Sequence, residues 1–250
     1  MRQLMISRNQ GAMRSLVGVI FLSLLLFSAS AQLPPHHIGA AENAGDRFTI
    51  GGITVDKPGR TVRFPAVVNM AEGTVEYLLV TSKGKTHESL FATTVEPFQL
   101  HVAMLLLSAR PTQEIEELPP EQLAAGTLKA APELEGDKVD VLVLWKSGAN
   151  TRKIHAEEWI NSRLTQAPMT TGPWLYTGSA IFQKRFLAQE EGSIIALVTD
   201  PVALINNPRA GRNDDTIWSV RSDKVPAVGT PVDIILHLPK NQPATRQSIK

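Results

Sequence analysis

From Phe48 onward the chain is dominated by short runs that alternate apolar and polar residues, the period of a strand with one face buried. Phe48-Thr49-Ile50, Ile53-Thr54-Val55 and Thr61-Val62-Arg63-Phe64 are such runs, separated by the breakers Gly51-Gly52 and Lys57-Pro58-Gly59. They predict consecutive antiparallel strands. Val75 to Thr81 and Thr86 to Thr93 flank Ser82-Lys83-Gly84-Lys85. A glycine-containing loop between two strand-like runs predicts a hairpin. Further strand patterns occupy Val139 to Trp145, Lys153 to Trp159, Trp174 to Phe182, Ser193 to Thr199 and Val232 to Leu238.

One stretch breaks this rhythm. Glu96-Pro97-Phe98 places proline where a helix begins, Phe98 to Ser108 has no interior breaker, and Pro111 follows as a stop. Val102 to Leu107 is apolar on nearly every side, which predicts a helix lying in the core against a sheet. The expected fold class is therefore α+β, a mostly antiparallel sheet with one buried helix packed on it. A polar loop over Asn206 to Asp215 is expected beside one sheet end. Val75 to Gly84 also aligns without a gap to Val139 to Gly148, and each precedes a segment containing a histidine and a glutamate. Two hairpins obeying the same rules account for the likeness without a duplication.

The first residues change the picture from fold to location. Arg2, Arg8 and Arg14 precede an apolar stretch from Leu16 to Phe27, and Ala29-Ser30-Ala31 supplies the small residues of a cleavage point. Residues 1–31 thus read as a secretory signal peptide, too short in its apolar part to span a membrane. The expected organisation is a lead-in over 32–46, a single domain over 47–240 with a surface excursion at 112–138, and a loose tail at 241–250. Cleavage removes three arginines and no acid, so 25 basic against 24 acidic residues becomes 22 against 24, and the formal charge moves from +1 to −2. A near-neutral surface without a basic stripe argues against nucleic acid. The chain has no cysteine, which excludes disulfides, thiolate zinc sites, cysteine nucleophiles and an all-thiolate iron–sulfur cluster. It is expected to be exported, periplasmic or extracellular, without a membrane span once cleaved.

Two groups of residues could carry chemistry. His87-Glu88 on the second strand of the first hairpin, with His101 on the helix, offers imidazole and carboxylate ligands for a divalent metal ion. On a strand, however, His87 and Glu88 face opposite ways, and His101 on an apolar helix face reads first as a core residue and only second as a ligand. The second group runs from Asp200 through Arg209, Arg212, Asp214 and Asp215. It reads either as a loop tied by its own aspartate caps and ion pairs or as a ligand site using carboxylates or arginines. Glu157-Glu158 on a strand reads as a solvated edge. Trp145, Trp159, Trp174 and Trp218 with Tyr176 read as core, or as a stacking platform if exposed together. Gly-x-Ser-x-Gly, His-Glu-x-x-His and phosphate-cradling glycine patterns do not occur in the chain.

Gly73-Thr74-Val75-Glu76-Tyr77, Thr86-His87-Glu88-Ser89-Leu90-Phe91 and His101-Val102-Ala103-Met104-Leu105-Leu106 together resemble the YdjY-domain proteins. Ala156-Glu157-Glu158-Trp159-Ile160, Tyr176-Thr177-Gly178-Ser179 and Asp200-Pro201 through Asp214-Asp215 extend the likeness from about Gly51 to Leu238. The resemblance implies an exported or membrane-tethered bacterial protein of unassigned biochemistry. Some of those proteins carry a ferredoxin-like label, which a chain without cysteine does not support. His87-Glu88-Ser89 and Asp214-Asp215 are the blocks in which the resemblance would place a common site.

The function expected from these residues is a non-catalytic binding or structural module of the cell envelope, with an unknown envelope component as partner and no cofactor. Two alternatives stand beside it. A metal-binding or metal-dependent hydrolytic site would need His87 within about 5 Å of two further ligand side chains. A glycan-binding module would need at least two of the four tryptophans exposed on one face.

Overall fold

The computed structural model of the chain describes residues 45–111 and 134–240. Among the described residues sixteen strands and two α-helices follow one another. In chain order these are β1 (Arg47–Ile50), β2 (Ile53–Asp56), β3 (Thr61–Val68), β4 (Tyr77–Thr81), β5 (Ser89–Thr93), α1 (Pro97–Leu106), β6 (Asp137–Ser147), β7 (Asn150–His155) and β8 (Ile160–Ser162). They continue as β9 (Ala167–Pro168), β10 (Trp174–Tyr176), β11 (Ile181–Phe182), β12 (Arg185–Phe186), α2 (Leu187–Glu191), β13 (Ser193–Ala196), β14 (Ile205–Asn206), β15 (Trp218–Val220) and β16 (Pro231–His237). Expectations for the leader, the lead-in, most of the 112–138 excursion and the tail fall outside the described residues. Asp137 and Lys138, placed in that excursion by the sequence reading, begin β6.

The glycines of the first turn explain the first three strands. Gly51 and Gly52 have φ of 52° and 85°, a backbone that only glycine enters freely, and they form a two-residue turn between Ile50 and Ile53. β1, β2 and β3 pair antiparallel in sequence, as their alternation predicts.

The sheet then departs from the α+β expectation. Its strands run β3-β16-β6-β10-β14-β13-β4-β5, and β5 pairs back onto β3, so eight strands close into a barrel. The protein is mostly β, and its helices do not form a second layer on an open sheet. Closure rests on side-chain alternation. Phe64 of β3, Ile234 of β16 and Val143 of β6 lie side by side in one row, with Val62, Leu236 and Val141 in a neighbouring row, all buried. A closed sheet removes the strand edges an open sheet would leave and fills its own centre. β4, β5 and β13 are buried on both faces, which is why they read as continuous apolar runs instead of alternating ones.

α1 occupies the position expected from Pro97, lies against β2 and α2, and sends Leu100, Ala103 and Met104 into the core. It is not apolar-buried all round, because Leu105 and Leu106 are 45% and 44% exposed.

The hairpin expected over 75–93 is not one. β4 and β5 pair in parallel, with Tyr77 opposite Ser89 and Thr81 opposite Thr93. The segment between them runs back along the strand and ends in a single 3₁₀ turn over Thr86–Glu88. By contrast β6 and β7 do form an antiparallel hairpin through Gly148. β7 stops at His155, and a second 3₁₀ turn follows over Ala156–Trp159. The expected strand over Trp174 to Phe182 is split into β10 and β11, with Gly178 at φ 89° between them.

Candidate functional site

The parallel return of the chain after β4 brings together the two segments that the sequence reading treated separately. Glu76, just before β4, accepts the backbone amides of Leu197 and Val198 with its carbonyl and donates its own amide to the carbonyl of Glu88. The turn at 86–88 and the segment after β13 are therefore stitched to the same residue. Tyr77 is buried beneath them. Its hydroxyl donates to Asp200 Oδ2 at 2.9 Å and accepts from Lys85 Nζ at 2.7 Å, with that ammonium also 4.9 Å from the ring centre. Asp200 is fixed from its other side: Oδ1 accepts the amide of Val202, while Asn206 bridges its amide and carbonyl and reaches Thr177.

Around this braced core stand carboxylates without matching cations. Burial raises the Glu76 carboxyl above its ordinary range, and the negative charges of Glu88 and Asp215 raise it further, against the weaker opposing pull of Lys85. Burial and the charge of Asp200 push the Tyr77 phenol upward, so it stays protonated as a donor. His87 points outward with its side chain 79% exposed, and Glu88 lies 3.5 Å from its Nε2. Glu88 and His87 sit on a 3₁₀ turn instead of a strand, so the opposite-faces argument does not apply to them. What the arrangement offers is an acidic cluster, half-buried at Glu76 and Glu88 and exposed at Asp215, whose charges act on one another.

A family model, the YdjY domain, matches residues 53–237, from the first residue of β2 to the last of β16 and hence across every strand of the barrel. The chain belongs to the YdjY-domain family. No curated protein and no solved structure matches it. In this YdjY domain the remaining sequence-predicted residues are committed to partners of their own. Arg209 is a bolt: it donates to Glu157 Oε1 at 2.7 Å, to the carbonyls of Gly172 and Thr170 at 2.6 Å each and to Asn207 Oδ1 at 3.2 Å, and it stacks 5.1 Å from the Trp174 ring centre. Glu157 is fully buried, the opposite of the solvated edge expected of it, because the 3₁₀ turn swings it inward. Burial raises its carboxyl, while Arg209 and the amide of Gly172 hold it down. Arg212 joins the same loop through its backbone, donating to the Arg209 carbonyl and accepting from Thr199. Asp214 Oδ1 accepts both the amide and the hydroxyl of Thr216, which lowers its carboxyl and makes it a turn cap.

His101 is a core residue of the YdjY domain. It is 2% exposed, Nδ1 lies 2.6 Å from the Tyr176 hydroxyl, and burial lowers it to about 4, so the ring is neutral. Among the described residues no three histidine, aspartate or glutamate side chains are grouped to hold a metal ion, and His101 lies in the core while His87 points outward beside Glu88. Trp159, Trp174 and Trp218 are buried and Trp145 is half-buried, which removes the stacking platform. Glu76, Tyr77 and Lys85 escaped the sequence reading. Their signal was Glu76 itself, a carboxylate interrupting the otherwise apolar run Val75 to Val80.

Proposed function

We propose that the protein is an exported, non-catalytic binding module of the cell envelope that receives an organic cation, the ammonium or guanidinium of a partner, at the acidic cluster of Glu76, Glu88 and Asp215. The observation that carries this reading is the raised Glu76 carboxyl in a place where three acidic side chains face one lysine. Such a group holds its proton because burial and then the neighbouring carboxylates disfavour its charge, and a cationic ligand offsets the second of these. The neighbouring hydroxyls of Tyr77 and Ser89 are committed to Asp200 and to the Lys85 carbonyl, which supports recognition by charge over chemistry. Export is supported by the leader in residues 1–31. No helix of the described residues is long and apolar enough to cross a membrane.

Titration calorimetry of the processed chain against a surface of lysine- and arginine-rich peptides tests the reading. Affinity is expected to rise with pH as Glu76 gives up its proton, and Glu88→Gln is expected to weaken binding about tenfold, the loss of one charge-assisted contact. Binding that ignores both pH and Glu88→Gln would end it.

A further inference from the structure

A second surface feature lies across the outside of the barrel, on the strands β3, β16 and β6, apart from the acidic cluster beside β4. A cavity of about 510 Å³ opens there between Pro65, Leu144, Lys146, Thr151 and Pro231, with Trp145 in its wall. The strand β6 runs past β10: its first part pairs with β10, and from Leu142 its partner on that side is β7, while β16 stays paired on its other side as far as Trp145. This cavity shares Pro65 and Ala66 with a neighbour of about 150 Å³, and that one shares Ser82, Thr93 and Thr94 with a third of about 260 Å³ that reaches Gln189. The three are one track.

The middle of the track crosses a place where the barrel backbone offers no donor. β3 pairs with β2 only as far as Arg63 and with β5 only from Val67. Between them the Pro65 carbonyl accepts from Thr93 Oγ1 at 2.6 Å, so the backbone of Pro65 faces the β5 side and its missing N–H falls on this open stretch. A ligand here is gripped by side chains and hydroxyls instead of by a sheet ladder.

Charge sets the ligand. Strand alternation puts Leu144 and Lys146 of β6 on the same face as Lys153 and Thr151 of β7, their cross-strand partners. Lys146 and Lys153 are exposed, and neither is paired with a carboxylate among the described residues. The one acid in the cavity wall, Asp233, is already held by Arg63 at 2.6 Å. We infer that the 510 Å³ cavity binds an acidic polypeptide segment, with one large apolar side chain seated beside Trp145 and flanking carboxylates on Lys146 and Lys153, while the far end of the track, lined by Glu96 and Glu190, takes the uncharged continuation of that segment.

The test uses a fluorescent twelve-residue peptide carrying Glu-Phe-Glu at the centre of Val-Thr repeats, its Lys-Phe-Lys counterpart, and the tripeptide Glu-Phe-Glu alone. The acidic peptide is expected to bind the processed chain at least tenfold more tightly than either of the others. Lys146→Glu with Lys153→Glu is expected to reverse the charge preference. Thr151→Trp, an exposed strand position that fills the cavity, is expected to weaken binding at least tenfold with an unchanged melting temperature. Equal binding of both charges, equal binding of the tripeptide, indifference to Thr151→Trp, or no binding would each overturn the inference. A concentration-dependent dimer lost in Thr151→Trp, without peptide binding, would overturn it in favour of a second copy of the chain as occupant.

Discussion

Val75 to Gly84 and Val139 to Gly148 share an apolar run, a polar shoulder and a terminal glycine, yet they lead the chain in opposite directions. After β6, Gly148 takes φ 61° in a two-residue turn, and a Cβ at that position would meet nothing within 4 Å. β7 then runs straight back. After β4, Gly84 is not in the left-handed region, and a Cβ there would stand 3.1 Å from the carbonyls of Glu191 and Gly192. One glycine is needed for its torsion, the other for a close approach of two backbones. The consequence extends to the carboxylates that follow. Both segments lead to a 3₁₀ turn bearing a glutamate, Glu88 in one and Glu157 in the other. Glu157 is buried and answered by Arg209, whereas Glu88 stands against Glu76 and Asp215 with too little positive charge. The first arrangement holds a loop in place, and the second is available for recognition.

The contrast can be broken from either side. The largest effect is expected from Gly192→Val, because a Cβ there would stand 2.3 Å from Thr81 Oγ1 and 2.9 Å from Gly84 Cα at φ 72°. Steric overlap and a left-handed β-branched residue together are expected to cost about 4 kcal/mol, read from urea unfolding. Arg209→Leu comes next, with a loss of about 3 kcal/mol for leaving a buried carboxyl unpaired. The sign of its pH dependence follows from the raised Glu157 carboxyl. Stability is fully present below the ordinary carboxyl range and is lost as pH rises through the folded value, so the deficit is expected to be larger at pH 8 than at pH 5. Gly148→Ala, strained in φ but unobstructed, is expected to cost about 1 kcal/mol. Glu76→Gln is expected to have the smallest effect and the opposite sign, a gain below about 1 kcal/mol at neutral pH that vanishes in acid, measured by the shift in melting temperature.

Much of the local structure is legible in the residues. Gly51-Gly52 announces the turn between β1 and β2, and Pro97 announces α1, because each acts through its own backbone. Barrel closure is not legible. It depends on pairings such as Ile234 with Phe64, far apart in the chain, and no local pattern encodes which strands meet. The parallel joint of β4 and β5 is hidden for a related reason: Ser82-Lys83-Gly84-Lys85 looks like a hairpin loop until Gly192 is found packed on Gly84. Of the candidate site, Glu88, Asp200 and Asp215 were readable as polar residues near turns. Glu76 was not, since one carboxylate in an apolar strand run reads as a solvent-facing position. Glu157 was misjudged because a 3₁₀ turn, unlike a strand, can point it into the core.

Fold joins function where the parallel return brings Glu88, and the loop before β15 brings Asp215, within electrostatic reach of Glu76. Carbon-detected NMR titration of the Glu76 side-chain carboxyl in the folded chain, repeated in Glu88→Gln, tests it directly. The account predicts a midpoint above the ordinary glutamate value of about 4.3, falling toward it in the variant. An ordinary midpoint in the unaltered protein, or one that Glu88→Gln leaves in place, would contradict it.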